Sequence, residues 1–150
     1  MTLMLPLAAD DDQDTAKKDA VAAMQKWLVK MDCGNYAQTW RDASKDFQKA
    51  IPSEEWVAVS TKVRMPQGKV VGRKLVSALY SEDVNGTTLS APYVVAQFDT
   101  SFENPKYGHE TVVFEKEADG VWRAAGYYIR PQCEALERPC AIPKIVPKML

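Results

Sequence analysis

The chain has 150 residues, 46% hydrophobic and 26% charged, with 19 basic against 20 acidic side chains for a net charge of −1. That length suits one domain that buries roughly two thirds of its unfolded surface, and the composition argues against disorder. With Lys and Arg scattered and the charge near zero, no field is available to hold a polyanion, so no nucleic-acid partner is expected.

Residues 1–9 (MTLMLPLAA) are apolar and switch abruptly to Asp10-Asp11-Asp12. Small residues before an acidic start are features of a secretory signal, although the basic leading region is missing and Leu7 fits poorly before a cut after Ala9. Residues 1–13 are therefore set apart, either as a signal peptide shortened by a misplaced start codon or as a frayed terminus. No later segment has the ~20 apolar residues of a membrane-spanning helix.

A single α+β domain is expected over 14–130. The first helix runs from Asp14 to Asp32, with Ala20, Met24, Trp27, Leu28 and Met31 on one face. Gly34 ends it, because glycine enters the left-handed region cheaply. Asn35 is the expected cap of a second helix carrying Tyr36, Trp40, Ala43, Phe47 and Ile51, with a break near Ser44. Cys33, at the helix end, reads as a small buried apolar side chain. Ser53 is the expected N-cap of a third helix, followed by Glu54 and Glu55 at the positive end of its dipole and by a stripe through Trp56, Val59 or Ser60, and Val63.

Met65-Pro66-Gln67-Gly68 joins the helical half to a strand-patterned half. Four strands are expected at 70–80, 92–103, 108–117 and 121–130, giving three helices packed on a four-stranded antiparallel sheet. Asn85-Gly86 and Asn104-Pro105-Lys106 mark turns. Asp119-Gly120 predicts a two-residue type I′ hairpin. That loop sets Glu115 opposite Ala124, Val113 opposite Gly126, Thr111 opposite Tyr128 and His109 opposite Arg130. One face then carries Glu110, Val112, Phe114, Ala125, Tyr127 and Ile129, and the other His109, Thr111, Val113, Trp122, Tyr128 and Arg130. Both are substantially apolar, so the face away from the helices must line a cavity, meet a partner or lie under the tail.

The tail, 131–150, carries Pro131, Pro139, Pro143 and Pro147 and is expected to be extended. Cys133 and Cys140 can close a small disulfide loop within it if their Cα atoms lie within ~7 Å. A zinc site is not expected: there is no C-x-x-C pair, and the single histidine is distant.

Two runs resemble a known family. Trp40-x-x-Ala43-Ser44-x-x-Phe47, Trp56, Val63-Arg64-x-Pro66-x-Gly68 and Arg73 form the first. The second comprises Tyr93-Val94-Val95-x-Gln97-Phe98-x-Thr100-Ser101-Phe102, Glu110-Thr111 and Asp119-Gly120-x-Trp122-Arg123-x-x-Gly126-Tyr127-x-Ile129-Arg130. Together they resemble small exported bacterial proteins classed as domain of unknown function 4019, over roughly residues 20–130. The resemblance implies export to the periplasm or medium and a single domain, and supplies no catalytic residues. Helices followed by four strands also look like the cone-shaped nuclear-transport-factor-2-like fold, which hosts enzymes and binding modules alike.

The chain has no phosphate-cradling glycine loop and no nucleophile elbow. Asp99 is a candidate general base if an apolar cavity raises its pKa, with Tyr80, Tyr93 or Tyr127 as the second donor; His109 is a further candidate. In the opposing structural reading, Arg73, Glu110 and Arg130 form ion pairs and Asp99 faces solvent. Most aromatics, including Trp27, Trp40 and Trp56, read as core. Trp122 and Tyr128, with Val113 and Thr111, mark the uncommitted sheet face as a ligand or partner surface.

These residues lead to a non-catalytic binding module without a cofactor or metal, for a protein partner or a small apolar ligand, with self-association left open. The alternative is a small cone-fold isomerase or dehydratase using Asp99 with a tyrosine.

Overall fold

The computed structural model describes residues 8–104 and 107–131. Four helices precede four strands: α1 Ala8–Asp32, α2 Tyr36–Arg41, α3 Lys45–Ala50 and α4 Ser53–Arg64, then β1 Val70–Ser81, β2 Tyr93–Phe102, β3 Tyr107–Lys116 and β4 Trp122–Pro131. The strands form one antiparallel meander in the order β1-β2-β3-β4, with helices packed on one face. The expected α+β architecture is therefore the one observed. Cys133 and Cys140, the tail and the start of the chain before Ala8 lie outside the described residues.

α1 starts at Ala8, ahead of the expected Asp14. Its end follows from Gly34, at φ 79°, whose N–H bonds to Met31 O while the Asn35 N–H reaches back to Lys30 O. This pair of bonds satisfies the last carbonyls of the helix. Asn35 thus serves α1 through its backbone, and its side chain makes no capping bond to α2. Cys33 is exposed, against expectation, because it lies past the buried stripe of α1.

The expected second helix is two. Ser44 breaks it by turning extended, accepting from the Phe47 N–H at 3.2 Å and donating its own N–H to Ala124 O on β4 at 2.8 Å. At α4 the cap position belongs to Pro52 and not to Ser53; no side chain caps that end.

The helical layer closes on aromatic rings. Trp56 is fully buried, edge-on to Phe47 at 5.0 Å and to Tyr127 at 6.4 Å, and Trp27 stands edge-on to Phe114 at 6.0 Å. Buried indole N–H groups need acceptors. Trp27 finds Thr39 O and Trp56 finds Thr39 Oγ1. Trp40, expected to be buried with them, is half-buried and donates to Ile51 O.

Strand β2 alternates cleanly. Val94, Ala96, Phe98, Thr100 and Phe102 are buried toward the helices (the inner face), leaving Val95, Gln97, Asp99 and Ser101 on the outer face. The β3–β4 hairpin departs from the expected register. Gly120, at φ 80°, donates to Glu117 O while the Glu117 N–H bonds to Val121 O, so three residues form the loop. A three-residue loop shifts the pairing near the turn by one, and that flips side chains to the other face. Lys116 pairs with Trp122, Glu115 with Arg123 and Phe114 with Ala124; a bulge then restores Val113 opposite Gly126, Thr111 opposite Tyr128 and His109 opposite Arg130. Trp122 therefore packs against the helix-side core, and Ala125 moves to the outer face beside Val113.

Candidate functional site

Two constellations of polar side chains lie on opposite faces of the sheet. On the inner face, Asp32 ends α1 and receives both Arg73 nitrogens, Nη1 and Nη2, at 2.8 Å. The same carboxylate takes Arg64 Nη2 from the end of α4 at 2.8 Å. Arg73 also donates from Nε to Glu110 on β3 at 2.9 Å. Glu110 in turn accepts from Thr100 Oγ1 at 2.5 Å and from the Tyr127 hydroxyl.

Two guanidinium groups face two carboxylates, so the network is charge-balanced. Arg64, only 2% exposed, places its guanidinium over the Phe102 ring at 4.5 Å. Burial, reinforced by the Glu110 charge, pushes the Tyr127 hydroxyl well above its ordinary range and keeps it a neutral donor. For Arg73, burial works against the charge, but the Asp32 hydrogen bonds and the Glu110 charge outweigh it and hold the proton more firmly than usual. This network ties the ends of α1 and α4 to all four strands. The expected ion pair of Arg73 with Glu110 is present, but Arg130 is not part of it.

Asp32 does leave one signal in the residues: a carboxylate in the last turn of a helix opposes the dipole and implies a compensating cation. Arg64, at the end of another helix and separated by 32 positions, could not be paired with it from spacing alone.

The outer face is divided. Over one half runs the β1–β2 connection, residues 82–92, with Leu89 seated on Val113 and Ala125 and flanked by Val84, Tyr93, Val95 and Tyr128. Val113 is fully buried as a result. The connection is pinned by Ser90, which donates from its N–H and hydroxyl to Asp46 of α3 at 2.9 and 3.1 Å, and by Tyr93, whose hydroxyl donates to Asp83 O. Of the four residues expected to form one exposed patch, Val113 is covered, Trp122 faces the helices, and Thr111 and Tyr128 are half-buried. The cover comes from the connection in which Asn85-Gly86 marks only a turn.

Near this lid Glu115 is 1% exposed, and its Oε2 has no hydrogen-bond partner. Burial, together with the nearby Asp46 carboxylate, pushes its carboxyl up to about 7, against the stabilising hydrogen bond from Ser44.

The other half of the outer face is open. A cleft of about 230 Å³ is lined by Val76, Gln97, Phe98, Asp99, His109, Glu110, Thr111 and Arg130. Asp99 and His109 are cross-strand neighbours, with Nδ1 and Oδ1 at 2.7 Å. Donation of the Nδ1 hydrogen to the carboxylate orients the ring. Arg130 follows on β4 opposite His109. Adjacent strands thus line up a carboxylate, an imidazole and a guanidinium across the cleft. Val76 reaches it because β1 bulges between Leu75 and Ser77, a detail that alternation in the sequence does not reveal.

The enzyme constellation does not assemble. Asp99 is on the outer face with its side chain 58% exposed, whereas Tyr127 is buried on the inner face. Tyr93 shares the outer face with Asp99 but lies six residues away along β2, about 20 Å for an extended strand. Tyr80 is half-buried at the far end of β1 and donates to Glu82. Among the described residues, no cluster of His, Cys, Asp and Glu is arranged to hold a metal ion. No described helix is long and apolar enough to cross a membrane.

No curated protein matches the chain, and no solved structure does either, so the likeness to the cone-shaped fold rests on the order of elements alone. The family described as "Protein of unknown function (DUF4019)" matches residues 23–127, which takes in α2 to α4, all of β1 to β3 and most of β4. The chain belongs to that family.

Proposed function

We propose that this protein is an exported, non-catalytic binding module that recognises its ligand or partner on the open half of the outer sheet face. One observation carries the reading: the space between helices and sheet is filled by aromatic core and a charge-balanced network, whereas the cleft with Gln97, Asp99, His109, Thr111 and Arg130 is open. Those groups offer donors and acceptors beside the apolar Val76, a mixture suited to orienting a small ligand or a peptide. Export is supported by the apolar residues 1–9 and by the acidic run after them. A start near Asp10 leaves Asp10, Asp11 and Asp12 at the head of α1, where negative charge suits the helix dipole.

The test is a titration of the isotope-labelled protein with the small-molecule fraction of a periplasmic extract, followed by NMR. Shifts clustered at Gln97, Asp99, His109 and Thr111, abolished by Arg130→Ala and without loss of any extract component over time, agree with the reading. Time-dependent conversion of a component that Asp99→Asn abolishes would contradict it. Fractionation and intact mass of the protein expressed from its full upstream reading frame test export; cytoplasmic recovery with residues 1–9 attached contradicts that part.

A further inference from the structure

The sheet has two edges, and they are treated differently. At β4, the Ala124 carbonyl is taken by the Ser44 N–H, so the start of α3 covers part of that edge. β1 has a single strand neighbour, β2, and among the described residues no backbone group outside the sheet bonds to it. β1 spans 12 residues, long for an edge strand. It also concentrates exposed apolar surface: Val71 is 73% exposed, Leu79 69%, Val76 54% and Leu75 40%.

Edge strands in soluble proteins are usually blunted by charge, proline, shortness or bulges. β1 does carry two bulges, which insert an extra residue between Val70 and Gly72 and between Leu75 and Ser77. The inserted residues are Val71 and Val76. Both add apolar surface, so the bulges themselves do not make the edge polar; the charge within its first half comes from Lys74, between them.

The charges along this edge are ordered. Lys69 and Lys74 lie at or before its first half, and Glu82 and Asp83 follow its end. A strand that is basic at its start and acidic after its end complements itself only when a second copy runs antiparallel, which a twofold axis provides. A twofold centred between Leu75 and Val76 sets Lys69 opposite the second copy's Glu82, twice by symmetry, with the apolar residues between the two pairs. We infer that β1 is a self-association edge: two copies pair antiparallel through β1 and join their sheets into one of eight strands. This inference is independent of what the outer-face cleft binds.

Sedimentation velocity of the full chain at micromolar concentrations tests it. The expected species is a dimer, converted to a folded monomer by Leu79→Lys, whose exposed position should leave circular dichroism and melting of the monomer unchanged. Lys69→Glu and Glu82→Lys should each weaken the dimer about two- to tenfold, as exposed ion pairs do, and the double swap should restore it. Three results would each overturn the inference: a monomer at every concentration, a dimer indifferent to Leu79→Lys, or a double swap no tighter than either single one.

Discussion

The inner and outer faces of this sheet both carry polar groups and use them in opposite ways. On the inner face both carboxylates of the network meet a guanidinium or hydroxyl at hydrogen-bond distance; Glu110 is fully buried and Asp32 mostly so. On the outer face the Asp99–His109 pair is more than half exposed, and Arg130 faces an open cleft. Removing one member of a buried, paired set strands the other charge without solvent, whereas exposed pairs are worth little. The first constellation therefore holds the fold, and the second is free to meet something else.

Substitutions should break this contrast in a definite order. Arg73→Met leaves Asp32 and Glu110 partly uncompensated and should cost about 3–5 kcal/mol in urea unfolding. Trp27→Ala and Trp56→Ala should cost a similar ~3–5 kcal/mol, and the half-buried Trp40 clearly less. Loss of stability for Trp40→Ala as large as for Trp56→Ala would mean that the two rings are not differently placed.

Next in size is the lid. Leu89→Ala removes the side chain that covers Val113 and Ala125 and should cost about 2–3 kcal/mol, with new dye-binding surface on the outer face. An unchanged midpoint and no added dye binding would show that residues 82–92 do not cover the sheet.

Glu115 supplies a pH-dependent term. Its folded-state pKa, about 7, lies above the ordinary 4.5. Below about 4.5 the group is protonated in both states and costs nothing. Between 4.5 and 7 the unfolded state gains by ionising first, so stability falls as pH rises, and above about 7 the full penalty remains. Glu115→Gln should flatten that decline and raise the melting temperature at pH 7.5 relative to the parent. A variant with the parent's pH profile would remove Glu115 from the account.

The smallest effects belong to the open cleft. Arg130→Ala and Asp99→Asn should each change stability by no more than about 0.5 kcal/mol, as surface substitutions do. A larger loss in either would make the cleft part of the scaffold.

The architecture was legible because period 3.6 and period 2 occupy separate halves of the chain, and because β2 alternates residue by residue. Trp122 faces the helices against expectation for a local reason: Asp119-Gly120 suits either a two-residue loop or the last two positions of a three-residue one, and the choice flips a strand end. The bulges that deliver Val76 to the cleft and Ala125 to the outer face add a residue without disturbing composition, so they leave no sequence mark. The Asp32–Arg64–Arg73–Glu110 network spans helix ends and strands far apart in sequence, and only its Arg73–Glu110 part could be anticipated from the residues. Its charges are legible individually; the convergence is a property of the fold.

The most direct test of the contrast between the faces is a crystallographic soak with a library of small polar and carboxylate fragments. The account predicts fragment density in the outer cleft, touching Gln97, His109 or Arg130, and none between the helices and the sheet. Density beside Glu110 and Tyr127, with the cleft empty, would contradict it and place the binding site in an interior that opens.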